Sequence, residues 1–565
     1  MNTTHPGNGS SQRRAVETRA VAWLAARRTL IDPGMARPNG VLFAHKALIE
    51  TAFLVGLRAR LDPDPVDGDY REILDRFEEI TARPSYRELI ARDESAFLLY
   101  AGTYAALRLC GRDDADFRQI LAQAAAGGYA AIFERIPYRQ LDLLHTLELC
   151  RLEHTLPPVD DVLPFTLLCN RPNVIKLADG DIYAITHTIF YATDFGLREP
   201  RWPRGFDVGA AVELIEALLV LTRGRQNADL VGELLCCLLC LGVRDSEESR
   251  HAWDFLLSVQ EADGRVDGPQ GIIHPKLADG DDDYQRWATG YHTTIVAALA
   301  SLLDRSPRVV RKPRPAAPAT RLEMTRPLRR AVLWLSDKSR HHPPGTGLTA
   351  AAAAAYAADA LGEPDLALPA LLHFGTCLAD AESDVWQQHG MEVVGEFAAG
   401  LRSHGIACES LEAFLKSTAA ALEHLDEALP PQATRNVQRL VDLGLIPPQR
   451  AAAVFSEATR APQTPPQATA SRLFDAWKNY HLGHISGIVC ELSHAGWAGH
   501  RITRDAVTFL LSQQNADGAF GYPACDDPAV RERTQLSWTQ STITALATAH
   551  RSSGKQHAVP TESLT

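Results

Sequence analysis

The chain has 565 residues, a net charge of −12, and 45% hydrophobic against 22% charged residues. Its length exceeds the roughly 250–300 residues at which a single core stops growing, so two domains are expected. The acidic balance excludes a general affinity for nucleic-acid backbones or anionic membrane surfaces.

No apolar run reaches the ~18 residues of a membrane span, and the N-terminal MNTTHPGNGSSQRR lacks the apolar segment of a secretion signal, so a cytoplasmic protein is expected. Ala-rich stretches and scattered Leu pairs favour an all-α fold. The ten cysteines fall mostly inside apolar runs, such as LLCCLLCLGV with Cys236, Cys237 and Cys240, and read as small buried hydrophobes rather than disulfide partners.

In chain order, residues 1–13 are polar and Gly/Ser-rich and are expected to be disordered. Helical spacing begins at Val16, Ala20, Trp23 and Leu24 and continues over 41–57, 70–82, 94–110, 115–134 and 138–153. After the breaker LPPVDDVLP, helices are predicted over 161–170, 182–195, 207–223, 228–242, 246–261 and 286–304, closing a first domain at 14–304. RSPRVVRKPRPAAPAT, 305–320, reads as an extended linker. A second, shorter domain follows at 321–551 with helices near 348–361, 366–380, 384–401, 407–427, 433–456, 471–495, 500–514 and 532–550, then a disordered tail over 552–565.

The two halves share a pattern. DFLLSVQEADG before GYHTTIVAALAS in the first matches TFLLSQQNADGAFG before SWTQSTITALATA in the second, and RAVAWL matches RAVLWL at the two starts. KLADGDIYAITHTIFYATDFG echoes KLADGDDDYQRWATGYHTT within the first half. Asp-Gly after a helix favours a turn with a residue at positive φ. On this reading His187 corresponds to His484, and Gln540 takes the fourth equivalent place, beside His292.

Gln260, Asp263 and Gly264, with Gln514, Asp517, Gly518, Phe520 and Gly521, resemble the QW-type repeat of the terpenoid cyclase and protein prenyltransferase superfamily. The resemblance implies two tandem α/α toroid-like domains of helical hairpins, with a central cavity for a small or isoprenoid-like apolar substrate and acid/base chemistry. Asp279-Gly280-Asp281-Asp282 has the DxDD form of the protonating motif in class II cyclases, although Asp283 and Tyr284 follow in place of the usual Thr-Ala. Crowded carboxylates beside an apolar wall raise at least one pKa, so Asp279, Asp281, Asp282 and Asp283 are the candidate acids, expected at the cavity mouth.

His187 and His292 each open an apolar helix and are the candidate bases, converging at one end of the ring; His45 and His145 are read as further members of that rim. Tyr183, Tyr191, Asp194, Trp287 and Tyr291 are the candidate substrate wall. No nucleotide-binding motif occurs and no metal ligand is assigned, so the cofactor is unknown, with a divalent metal left open. Alternatives are a non-catalytic ring that binds a protein partner, a metal-dependent His/Asp ring enzyme, and a sugar-active ring using Asp194 and Glu148.

Overall fold

The computed structural model describes residues 6–36, 41–92, 96–128, 134–269, 282–316, 322–422, 437–438, 440–448 and 466–556. The fold is all-α: among the described residues the only β pairing is two isolated bridges. The chain divides into two compact units, Met1–Ala319 and Thr320–Thr565, and no described helix is long and apolar enough to cross a membrane.

In the first unit, helices of at least nine residues divide between two roles. α2 (Val41–Leu61), α5 (Phe97–Leu109), α7 (Pro137–Cys150), α8 (Asp179–Thr193), α10 (Ala228–Cys240) and α12 (Asp282–Arg305) pack as a closed cycle of neighbours, α12 returning onto α2. Flanking helices sit on them: α1 (Pro6–Ala26) on α12, α3 (Gly68–Thr81) on α1 and α2, α4 (Pro84–Arg92) on α6 (Ala115–Ala126), which packs on α5, then α9 (Val208–Gly224) and α11 (Glu247–Val259) on α10.

Burial explains the division. In α10, ADLVGELLCCLLC, every residue is buried, so the helix has no solvent face, whereas α11 buries only Ser249, Ala252, Trp253 and Leu256. α10 starts where the Asn227 side chain accepts from the Leu230 amide at 3.1 Å, which satisfies one orphan donor of the first turn.

The hairpin after α11 recurs in the second unit. Gln260 Nε2 donates to Gly264 O and Val16 O, both at 3.0 Å; Gln514 Nε2 donates to Gly518 O at 3.1 Å and Pro327 O at 2.8 Å. Each glutamine thus ties its turn to the first helix of its own unit. Val266 N donates to Thr294 Oγ1 and Phe520 N to Thr539 Oγ1, both at 2.9 Å, which fixes the last helix against the turn. Gly264 and Gly518 have φ of +100° and +109°, and a Cβ there would lie 2.1 Å from Arg19 O or 2.7 Å from Arg330 O, so only glycine fits.

The second unit contains α13 (Thr325–Lys338), α14 (Pro344–Ala360), α15 (Leu368–Cys377), α16 (Met391–Ser403), α17 (Glu409–Leu422), α18 (Leu482–Leu492), α19 (Arg501–Ser512) and α20 (Pro528–Gln556). α16 packs on α14, α14 on α20, and α20 on α18.

Several expectations change. Residues 6–13 begin α1 rather than a disordered tail: Arg13 pairs with Asp304 at 3.3 Å and lies over the Trp253 ring. The segment expected as an extended linker has no helix over 306–316 and lies along the first unit, where Lys312 N donates to Gly242 O at 2.9 Å and Arg314 forks onto Glu216. The stretch 161–170 is a series of single turns, since Pro164 interrupts it. α20 runs to Gln556, past the helix end expected at 550, and much of the predicted helix 433–456 lies outside the described residues.

Candidate functional site

Four cycle helices bring polar groups together inside the first unit. Asp229 and Glu233 stand one turn apart on the same face of α10. α12 supplies Tyr291, His292 and Thr293, α8 supplies Tyr183, Thr186 and His187, and α2 supplies Glu50. Close approach of α10 and α12 depends on Gly232, where a Cβ would lie 2.6 Å from Val296 Cγ1.

Asp229 is fully engaged. Its Oδ1 accepts from His292 Nδ1 at 2.7 Å and Thr293 Oγ1 at 2.9 Å, and its Oδ2 accepts from Tyr183 OH at 2.5 Å. Glu233 Oε2 accepts from Thr186 Oγ1 at 2.5 Å, and Glu50 Oε2 from Tyr291 OH at 2.8 Å. The His292 Nε2 atom lies 3.9 Å from both Glu50 Oε1 and Glu233 Oε1. His187 Nδ1 lies 2.8 Å from the Tyr183 carbonyl; because a carbonyl only accepts, the proton sits on Nδ1 and Nε2 keeps its lone pair. Asp229 and Glu233 side chains are 5% and 3% exposed, while His292 and His187 keep 28% and 24%, so the imidazoles are the accessible part of the centre.

Electrostatics separate these groups. Burial alone would raise the Asp229 carboxyl, but the His292 charge and hydrogen bonds from His292, Tyr183 and Thr293 hold it well below the usual carboxylate range. Glu233 is raised, by burial and then by the Asp229 charge beside it. Burial opposes charge on His292, yet Asp229 and Glu50 outweigh it and push the imidazole up to about 10. His187 is pushed down to about 4 by burial and by the nearby Arg139 charge.

The sequence-predicted residues divide accordingly. His187, His292, Tyr183 and Tyr291 belong to this centre, Tyr183 and Tyr291 as donors that hold Asp229 and Glu50 rather than as a bare aromatic wall. Tyr191 is buried one turn further along α8, hydrogen-bonded to Asp142. Trp287 is 1% exposed and packs on Tyr291 and Phe43 as core.

Asp194 caps α8 two turns beyond His187, gripped by both Arg60 nitrogens at 2.5 Å and by His145 at 2.8 Å. That leaves it no oxygen for a substrate, and Glu148, half-exposed and paired with Arg198, is no partner for a sugar-cleaving pair. His45 is buried against Tyr86 and Tyr100, between helices, and does not join the rim.

Asp279 and Asp281 lie outside the described residues. Asp282 and Asp283 are exposed at the start of α12, Asp283 paired with Arg27 at 3.0 Å. They stand about 15 Å along the helix from His292, without the apolar surroundings on which an acid role depended.

Among the described residues the second unit has no such centre. α18 packs on the last helix of its unit as α10 does, so His484 lies on the counterpart of the Asp229 helix, not of the His187 helix. Counted back from Gln260 and Gln514, Asp229 and Glu233 stand opposite Gly483 and Gly487; counted from Thr294 and Thr539, His292 stands opposite Ser537, not Gln540.

Fold and site together define an all-helical protein whose first unit encloses a buried carboxylate–imidazole centre. The chain belongs to the family described as a domain of unknown function, DUF6895, whose model matches residues 17–302 and so spans every group of that centre. No curated protein and no solved structure matches the chain.

Proposed function

We propose that the first unit is an enzyme domain, a helical ring of the α/α toroid kind, that holds a small substrate bearing an apolar or isoprenoid-like part and moves protons on it. The closed cycle of helices supports the ring. The observation that carries the reading is the convergence of Asp229, Glu233, His292 and His187 from three helices on one centre. Their register counterparts Gly483, Gly487 and Ser537 carry no such chemistry, so the second unit, on a duplication reading, is a structural copy. His187 is the base, its Nε2 lone pair free while Nδ1 is committed to Tyr183 O; the Asp229–Glu233–His292 side is the electrophilic partner that stabilises charge developing on the substrate.

The test is mass spectrometry of a cell metabolite extract, supplemented with isoprenoid alcohols and diphosphates, incubated with the full chain. The wild type is expected to consume at least one compound, and His187→Gln to slow that by at least ~10²-fold, the lower end for a lost general base. Equal conversion by wild type and His187→Gln refutes the role of His187. A wild type that converts nothing but retains a bound small molecule makes the ring a binding module instead.

A further inference from the structure

We propose that Glu50, Glu233 and His292 form a divalent-cation site, and that Asp229 orients His292 without touching the ion. The inference rests on the reading of this centre as catalytic and names its cofactor. One ligand atom from each of Asp229, Glu233 and His292 lies within 4.8 Å of the others, so a cation fits the cluster by distance alone. Hydrogen bonding then sorts the groups.

Both Asp229 oxygens are taken, Oδ1 by His292 Nδ1 and Thr293, Oδ2 by Tyr183. Asp229 is therefore the carboxylate that fixes the ring of a metal-binding histidine through its other nitrogen. What that leaves is His292 Nε2, with Glu50 Oε1 and Glu233 Oε1 each 3.9 Å away, Glu50 Oε1 also facing the exposed Lys46 Nζ at 3.5 Å, which an ion would displace. At bond lengths of about 2.0–2.2 Å, ligand atoms around one ion stand about 3.0–3.4 Å apart, so each glutamate closes on His292 Nε2 by less than about 1 Å, while Glu50, which stands outside the group mutually within 4.8 Å, also swings toward Glu233.

Every remaining ligand is held by its far atom: Glu233 through Thr186, Glu50 through Tyr291, His292 through Asp229. Glu233 is 3% exposed, and Thr186 holds its Oε2, which leaves Oε1 on the side of His292 Nε2. One nitrogen and two oxygens suit Zn²⁺ or Mn²⁺ better than the all-oxygen preference of Mg²⁺ or Ca²⁺. The accessible imidazole edge leaves coordination positions for substrate or water, and the bound ion would supply the electrophile.

The test is calorimetric titration of the chelator-dialysed full chain with ZnCl₂ and MnCl₂, with electron spin-echo spectroscopy of the Mn²⁺ form. One ion per chain is expected, with a ¹⁴N coupling that His292→Gln removes. Glu50→Gln and Glu233→Gln should each weaken binding by 100-fold or more, and Asp229→Asn by about 10–100-fold with the stoichiometry kept. Helical circular dichroism and melting in chelator identify any variant that fails to fold; Asp229→Asn, isosteric, serves if the others do.

Absence of stoichiometric binding, wild-type affinity in both glutamate variants, or an Asp229→Asn loss as complete as that of Glu233→Gln overturns the assignment. Turnover that continues in chelator sinks the cation site and leaves the proton-transfer reading standing. Ion binding without any turnover does the reverse.

Discussion

Asp194→Asn separates a structural carboxylate from a catalytic one. The native side chain accepts from both Arg60 nitrogens at 2.5 Å and from His145 Nε2 at 2.8 Å, and is 16% exposed against 21% for Arg60 and 2% for His145. Removing one partner of a buried pair costs about 3–5 kcal/mol. Asparagine keeps one acceptor, and the pair is partly solvated, so about 2–3 kcal/mol is expected.

The backbone adds nothing, because residue 194 has φ of 49°, where asparagine is at ease; alanine there would add about 1–2 kcal/mol. At roughly 2–4 °C per kcal/mol, the first unit should melt about 4–12 °C lower. Burial would raise this carboxyl, but hydrogen bonds from Arg60 and His145 and their charges hold it well below the usual range. A depressed native pKa stabilises the fold above the unfolded value of about 3.9 and loses that contribution as pH falls through the native one. Urea midpoints of wild type and variant should therefore differ steadily above about pH 5 and converge below about pH 4. A variant that unfolds like wild type at pH 7 but loses turnover would make Asp194 a substrate residue and refute the argument.

Asp282→Asn and Asp283→Asn, at exposed positions, should change stability by less than about 0.5 kcal/mol and leave ion binding and turnover untouched, read by urea unfolding and calorimetry. Gly264→Ala should destabilise the first unit by at least about 2 kcal/mol, since it combines positive φ with a Cβ 2.1 Å from Arg19 O; intact-protein proteolysis rates would report it. His484→Ala should leave both ion stoichiometry and turnover at wild-type values, because its helix carries Gly483 and Gly487 where the first unit has Asp229 and Glu233.

The helices were legible because helical spacing of apolar residues is a local signal. Ser246 and Asn227 mark their starts by accepting from backbone amides three residues on. The hairpin was legible too, since Asp-Gly at a helix end leaves few conformations. Register between the halves was not: His187 and His484 both lie in apolar helices and read as first-turn residues, but His187 sits in the middle of Asp179–Thr193 and only His484 is in a first turn, and packing shows that one helix is two steps from the end of its cycle and the other directly beside the last helix.

The acidic loop drew attention because four aspartates stand together, yet its described members are solvated, and solvated carboxylates are ordinary. The informative acids were quieter. Asp229 and Glu233 are the only charges in ADLVGELLCCLLC, a helix with no polar face, and charge in such a helix is rare unless paired. Their partners, Glu50 and His292, come from distant parts of the chain.

Ring ¹⁵N chemical shifts of His187 and His292, assigned by substitution in chelator-treated full-length protein and followed with pH, test most directly whether the centre is held ready by its neighbours. At pH 7, His187 should be neutral with its proton on Nδ1, since its pKa lies near 4, and His292 should be doubly protonated, titrating only near 10. Two rings that titrate together near about 6.5, as free histidines do, would contradict a preorganised centre in the first unit.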